Sequence, residues 1–129
     1  MSGRYLFDTN IVIALFADEP ILTGKIAKAE DVSVPAVVIG ELFYGAKKSG
    51  RPEKNSGRID RFASDNVILN CDTETARWYG RVKNRLRKKG RPIPENDIWI
   101  AAIAFQHDLT LVSRDEHFEE VEDLKLEKW

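Results

Sequence analysis

From Arg4 to Glu127, short apolar runs of β character alternate with stretches of helical periodicity. No other feature narrows the fold so far. The pattern predicts strands at Arg4–Phe7, Val32–Val34, Val67–Leu69, Leu109–Ser113 and Leu124–Glu127. Between them it predicts a helix over Asn10–Ala17 capped by Thr9 or Asn10, and a second after Asp18-Glu19-Pro20 running to about Ala29. Further helices are expected over Ala36–Lys48, after a polar loop at Arg51–Gly57 and ending near Ser64, over Asp72–Lys89, and over Asp97–Gln106 behind the loop "RPIPEND". Strands and helices in this order call for a parallel sheet covered on both faces. In such sheets ligands gather beyond the carboxyl ends of the strands, where the strand order reverses.

With 129 residues, 43% apolar and 32% charged, the chain suits one domain spanning 1–129 and its own core. The single cysteine, Cys71, permits no internal disulfide, fits a reducing cytosol, and reads as a small buried residue at a strand end. One Cys with His107 and His117 matches no zinc-ligand spacing. Asp8 and Asn10 interrupt the first apolar run, so it is no signal peptide, and no run approaches membrane-spanning length. The expectation is a soluble, cytoplasmic protein.

Four carboxylates stand where apolar residues dominate. Asp8 interrupts "YLFDTNIVI" just after the first strand. Glu41 lies on a helix with Val37, Val38, Tyr44 and Gly45 as its neighbours, on the apolar stripe. Asp97 opens "DIWIAAIAF", a helix apolar nearly all round and therefore buried. Asp115 follows the Leu111-Val112-Ser113 strand. Taken singly, Asp8 serves as a helix cap, Asp97 as a first-turn acid favoured by the helix dipole, and Asp115 as a turn residue. Capping does not account for Glu41. Converging carboxylates cannot all stay ionised without a cation, and a set lacking Cys and His suits a hard ion, Mg²⁺ or Mn²⁺. Such an ion activates water and neutralises charge on a phosphate.

On these residues the sequence resembles the PIN-domain ribonucleases, specifically the VapC-type toxins of toxin–antitoxin pairs. The segments that carry the resemblance are "YLFDTNIVI", "VSVPAVVIGELFYGA", "PIPENDIWIAAIAFQHDLTLVSRDEHF" and "LKLEKW", and together they cover the chain. The resemblance implies an α/β fold, a three-layer α/β/α sandwich around a parallel sheet of four or five strands. It implies metal-dependent endoribonuclease cleavage leaving a 5′-phosphate and a 3′-hydroxyl. It assigns the acidic quartet to Asp8, Glu41, Asp97 and Asp115, with Asp8 and Asp97 as the principal Mg²⁺ ligands and Mn²⁺ as a substitute. Thr9 and Ser113 would be supporting hydroxyls that orient a carboxylate or water, and Asn10 a capping or supporting residue. It also implies capture by a cognate antitoxin, a homodimer, and a larger toxin–antitoxin assembly.

Net charge is −1, yet the charge is polarised. Arg77–Arg91 holds eight basic residues and no acid, Lys47–Arg61 is mostly basic, and Asp115–Asp123 is acidic. A basic stripe beside an acidic metal pocket fits an RNA substrate. Arg81, Lys83, Arg85, Arg87 and Lys88 are the candidates for backbone phosphate contact, the alternative being a solvated helix face with cations at its C-terminal end. Trp78 and Tyr79 could stack on bases or belong to the core. Phe43, Tyr44 and the helix bearing Ile21, Leu22 and Ile26 carry apolar surface suited to an interface. Two other function classes compete. A phospho-accepting receiver module would want paired acids after the first strand, where Asp8 is single. A PIN-like module that only binds RNA or protein would not need the full quartet.

Overall fold

A computed structural model describes residues 3–129. Five parallel strands form one sheet: β1 (Arg4–Phe7), β2 (Asp31–Pro35), β3 (Val67–Leu69), β4 (Thr110–Val112) and β5 (Leu126–Glu127), in the order β3-β2-β1-β4-β5. The chain first winds outward from β1 to β3. It then returns to the other side of β1 to lay down β4 and β5, so the strand order reverses between β1 and β4.

Six α-helices connect or flank these strands: α1 (Thr9–Phe16), α2 (Pro20–Lys28), α3 (Ala36–Lys47), α4 (Pro52–Asp65), α5 (Thr73–Lys89) and α6 (Glu95–Gln106). A short 3₁₀ turn, Glu116–Glu120, follows β4. The chain crosses the sheet one way through α1–α4 and back through α5 and α6, the order that covers both faces when crossovers take the usual right hand. α1 lies against α2 and α3, α3 against α4, α5 against α6, and α3 also meets α6. This is the expected three-layer α/β/α arrangement with five strands.

The core follows the apolar pattern. β1 turns Leu6 and Phe7 inward, and β4 contributes Leu111 and Val112. In α6 every residue from Ile100 to Ala104 is buried. Three alanines in that run let the helix approach the sheet closely, while Ile100 and Ile103 fill the space between. At the C-terminus, Trp129 sets its ring edge-on to Tyr5 and Phe7 at 4.8 and 5.4 Å between centroids.

Several boundaries differ from expectation, each for a local reason. The cap of α1 is Asp8, not Thr9 or Asn10: its side chain accepts from Thr9 N at 2.8 Å. α4 starts at Pro52, because proline is well suited to the first helical position and Gly57 is carried inside the helix. α6 starts at Glu95 behind Pro94, so Asp97 is its third residue and not its first. α5 matches closely. It is opened by a capping box between Asp72 and Thr75 and closed by Gly90, whose φ of 72° is left-handed and favours glycine. Cys71 is exposed, since β3 is an edge strand and the chain leaves the sheet before reaching it.

Ile100 has no solvent exposure, and Ile100→Ala leaves a cavity that the packed helix cannot collapse. The expected loss is about 2–4 kcal/mol of unfolding free energy, read as a lower urea midpoint with an unchanged m-value.

Candidate active site

Three hydrogen bonds fix Asp8 at the carboxyl end of β1. Its Oδ1 accepts from Thr9 N, its Oδ2 accepts from Ser113 Oγ at 2.6 Å, and Asn10 Nδ2 approaches Oδ2 at 3.3 Å. Ser113 stands one residue beyond β4, and its hydroxyl also accepts from Asp115 N at 3.0 Å. Asn10 Oδ1 accepts from Arg114 N at 3.1 Å. Thus the first residues after β1 and after β4 are tied to each other across the point where the strand order reverses.

All four candidate carboxylates meet here. Asp8 and Asp97 are buried, Glu41 and Asp115 half-buried. Burial raises the pKa of Asp8, opposed by its bonds to Ser113 and Thr9 N, with the Asp115 charge raising it further. Burial likewise raises Glu41; the nearby polar groups of Thr9 and Asn96 oppose the rise, and the charges of Asp8 and Asp115 add to it. Asp97 is pushed up to about 7, first by burial and then by Asp115 and Asp8. Each of these shifts reports first the cost of burying a charge and then the repulsion of its negative neighbours.

Three oxygens at this place are buried and lack a hydrogen-bond partner: Thr9 Oγ1, Glu41 Oε1 and Asp97 Oδ2. Unpaired buried oxygens on carboxylates that repel one another are the donor set that a hard divalent cation satisfies. The residues present therefore fit such an ion: donor atoms of Asp97, Asp115 and His117 lie within 4.8 Å of one another, and the charges of Asp8 and Glu41 bear on the same place.

Sequence reasoning missed His117. Its Nδ1 lies 2.9 Å from Asp115 Oδ1 and 3.5 Å from Asp97 Oδ2, so the site is not free of histidine as expected. The signal was its place two residues after Asp115. Also missed is Arg114, which donates to both carboxylate oxygens of Glu19 (2.8 and 3.3 Å) and to Trp129 O (2.8 Å), bracing the wall of the site.

The basic stripe divides over two faces of α5. Lys83 is paired with Glu95 at 2.7 Å and bonded to Tyr79. With Arg87 it lines a cleft beside Pro92, Ile93 and Glu95. Arg85 and Lys88 line a different groove with Phe105, Glu120 and Glu122. Arg81 lies over Trp78 at 4.7 Å. Trp78 and Tyr79 stack on Phe105 and Trp99 of α6 at 5.0 and 4.1 Å, so both rings are engaged in packing between helices. Ile13, Ile21 and Tyr44 are exposed, whereas Leu22 is buried.

The PIN-domain family matches residues 5–124. A protein of Haemophilus influenzae named ribonuclease VapC2 is 40% identical over 98% of both chains. A Shigella flexneri protein named tRNA(fMet)-specific endonuclease VapC is 31% identical over the same share of each. Among solved structures, VapBC2 from Rickettsia felis bound to a promoter DNA fragment aligns over 97% of this chain and 98% of that one. Its TM-score is 0.88 at 30% identity. No helix among the described residues is long and apolar enough to cross a membrane.

A carboxylic acid whose pKa rises on folding holds its proton more tightly in the folded chain. For Asp97 the folded state binds more protons between about 4 and 7, so stability falls as pH rises through that interval. In EDTA, melts from pH 5 to 8 are expected to show a falling Tm. Asp97→Asn should flatten the slope and add on the order of 1–2 kcal/mol at pH 7.5, after discounting for solvent at the site's mouth. A wild-type Tm that climbs across this range contradicts the assignment.

Proposed function

Because the chain belongs to the PIN-domain family, in its VapC branch, we propose that it is a divalent-metal-dependent endoribonuclease, the toxin half of a toxin–antitoxin pair. The observation that carries the proposal is the set of three orphaned oxygens among four mutually repelling carboxylates, at the reversal point of a parallel sheet. Mg²⁺ is the ion proposed, with Mn²⁺ as substitute, and the cytoplasm is the proposed compartment. The reading takes residues 1–129 as one domain. VapBC assemblies in the solved relatives support a cognate antitoxin as partner, and a homodimer is proposed with it.

Asp8 and Asp97 would be the principal ligands, with Glu41 and Asp115 completing the pocket. When bound there, the ion lowers the pKa of water and offsets charge on the phosphate. The chain's own residues do the rest. Asp8 cannot swing, because Thr9 N, Asn10 and Ser113 hold both of its oxygens. Glu41 Oε1, buried and unpaired, is available to take the proton of the attacking water. The water oxygen adds to phosphorus as Glu41 takes one of its protons, the bond to O3′ breaks, and O3′ takes a proton from solvent to leave as a hydroxyl, so the other fragment keeps the 5′-phosphate.

Cleavage of a labelled cellular RNA pool, transfer RNA included, tests this with Mg²⁺ or Mn²⁺ against EDTA. Wild type is expected to cut only with metal, and Asp97→Asn or Asp8→Asn to lose at least about a hundredfold in rate. If folded, antitoxin-free wild type binds metal and RNA yet cuts nothing, a binding module replaces the nuclease.

RNA backbone contact is proposed for Arg81, Arg85, Arg87 and Lys88, with Lys83 contributing less because Glu95 already neutralises it. Replacing Arg85, Arg87 and Lys88 together by Ala should weaken RNA binding by an inactive variant. It should also reduce the slope of log K against log salt by about 2. Lys83→Ala should change that slope by less than the value for one free cation.

A further inference from the structure

His117 is the one nitrogen donor among the oxygens of this site. It sits in the 3₁₀ turn that Asp115 caps, with its backbone N donating to Asp115 Oδ1 at 3.0 Å. That bond returns the ring toward α6. Donor atoms of Asp97, Asp115 and His117 all lie within 4.8 Å of one another. Asp97 supplies the independent sign of a missing ligand: the residue is only 8% exposed, and its Oδ2 has no hydrogen-bond partner. That same oxygen faces His117 Nδ1 at 3.5 Å, while Asp115 Oδ1 is 2.9 Å from the ring nitrogen. Neighbouring ligands on one octahedral ion with bonds of about 2.1 Å stand roughly 3 Å apart. The two spacings from the ring nitrogen, 2.9 and 3.5 Å, are close to those of adjacent ligand positions, and Asp97 and Asp115 lie within 4.8 Å of each other.

We infer that His117 Nδ1 is a direct ligand, with Asp97 and Asp115, when Mn²⁺ takes the place of Mg²⁺ in this site, and that the imidazole strengthens binding of that substitute ion selectively. The inference rests on the reading of the acidic set as a metal site. Its chemistry is that of ligand softness. Mg²⁺ takes oxygen ligands and keeps its waters, whereas imidazole nitrogen binds first-row transition ions well. Ligation requires the lone pair of Nδ1, so the ring proton resides on Nε2. The side chain is 54% exposed, which leaves that N–H hydrated. The ring also borders an open groove lined by Gly90, Arg91 and Ile93, through which ion and solvent can enter.

Mn²⁺ is the probe, because its paramagnetism reports both binding and ligand identity. Untagged, full-length wild-type protein is titrated with Mn²⁺ and followed by loss of the free-ion resonance. Pulsed electron paramagnetic resonance then looks for ¹⁴N coupling from a ligated imidazole. The chain has two histidines, and His107 caps the far end of α6, so His107→Ala serves as the control. Expected are ¹⁴N coupling in wild type and in His107→Ala, its loss in His117→Ala, and about a tenfold or greater fall in Mn²⁺ affinity in that variant. Mg²⁺ affinity, read by competition against Mn²⁺, should change less than about threefold. Mn²⁺ bound without ¹⁴N coupling in wild type, or coupling that persists in His117→Ala, overturns the inference and leaves the oxygen site standing. Absence of Mn²⁺ binding by folded wild type overturns the metal-site reading and the inference with it.

Discussion

The parallel pairing of β1 with β4 holds like charges where they would not gather by themselves. Phe7 is registered on Val112, and Asp8 N donates to Val112 O at 3.1 Å. That register brings Ser113 within hydrogen-bond reach of Asp8 and sets Asp115 beside it. α6, mostly buried from Asp97 to Ala104, brings in Asp97, and α3 brings in Glu41. Apolar burial thus supplies the free energy that offsets charge repulsion. The core around Leu6, Val12, Ile100 and Leu111 is fully buried, and each such side chain is worth about 1.5–3 kcal/mol.

The supporting groups show how the repulsion is contained. Each oxygen of Asp8 receives a donor, so its position is set before any ligand arrives. Asp97 and Glu41 keep an oxygen free. Preorganised on one flank and unsatisfied on the other, the pocket has both a fixed frame and a reason to bind. Arg114 extends that frame outward, joining Asn10, the Glu19 carboxylate between α1 and α2, and the Trp129 carbonyl.

Much of this was legible in the sequence. Alternation of apolar runs gave the parallel sheet, and each of the four acids stood out against an apolar background. What escaped depends on contacts between distant segments. His117 is separated from Asp97 by twenty residues, and only the packing of the 3₁₀ turn on α6 joins them. Lys83 read as a free cation because its partner, Glu95, lies across a loop on the next helix. Trp78 and Tyr79 looked available for bases until α6 supplied Phe105 and Trp99 to receive them. The start of α4 was misread for a different reason: Pro52 and Gly57 signal a loop by composition, yet the first is at home in a first turn and the second is tolerated within a long helix.

The bond between Asp8 and Ser113 spans 105 positions along the chain. A pocket closed by so distant a pair has no local precursor. While a ribosome is still making the chain, β1 emerges first but lacks its central neighbour until Thr110–Val112 follows. Loop closure over that distance precedes any reward from the pairing. The acidic centre is therefore among the last parts of the molecule to exist, and a polypeptide released before β4 carries its carboxylates apart. For an enzyme proposed to cut RNA in the cell that translates it, dormancy during synthesis is written into the strand order.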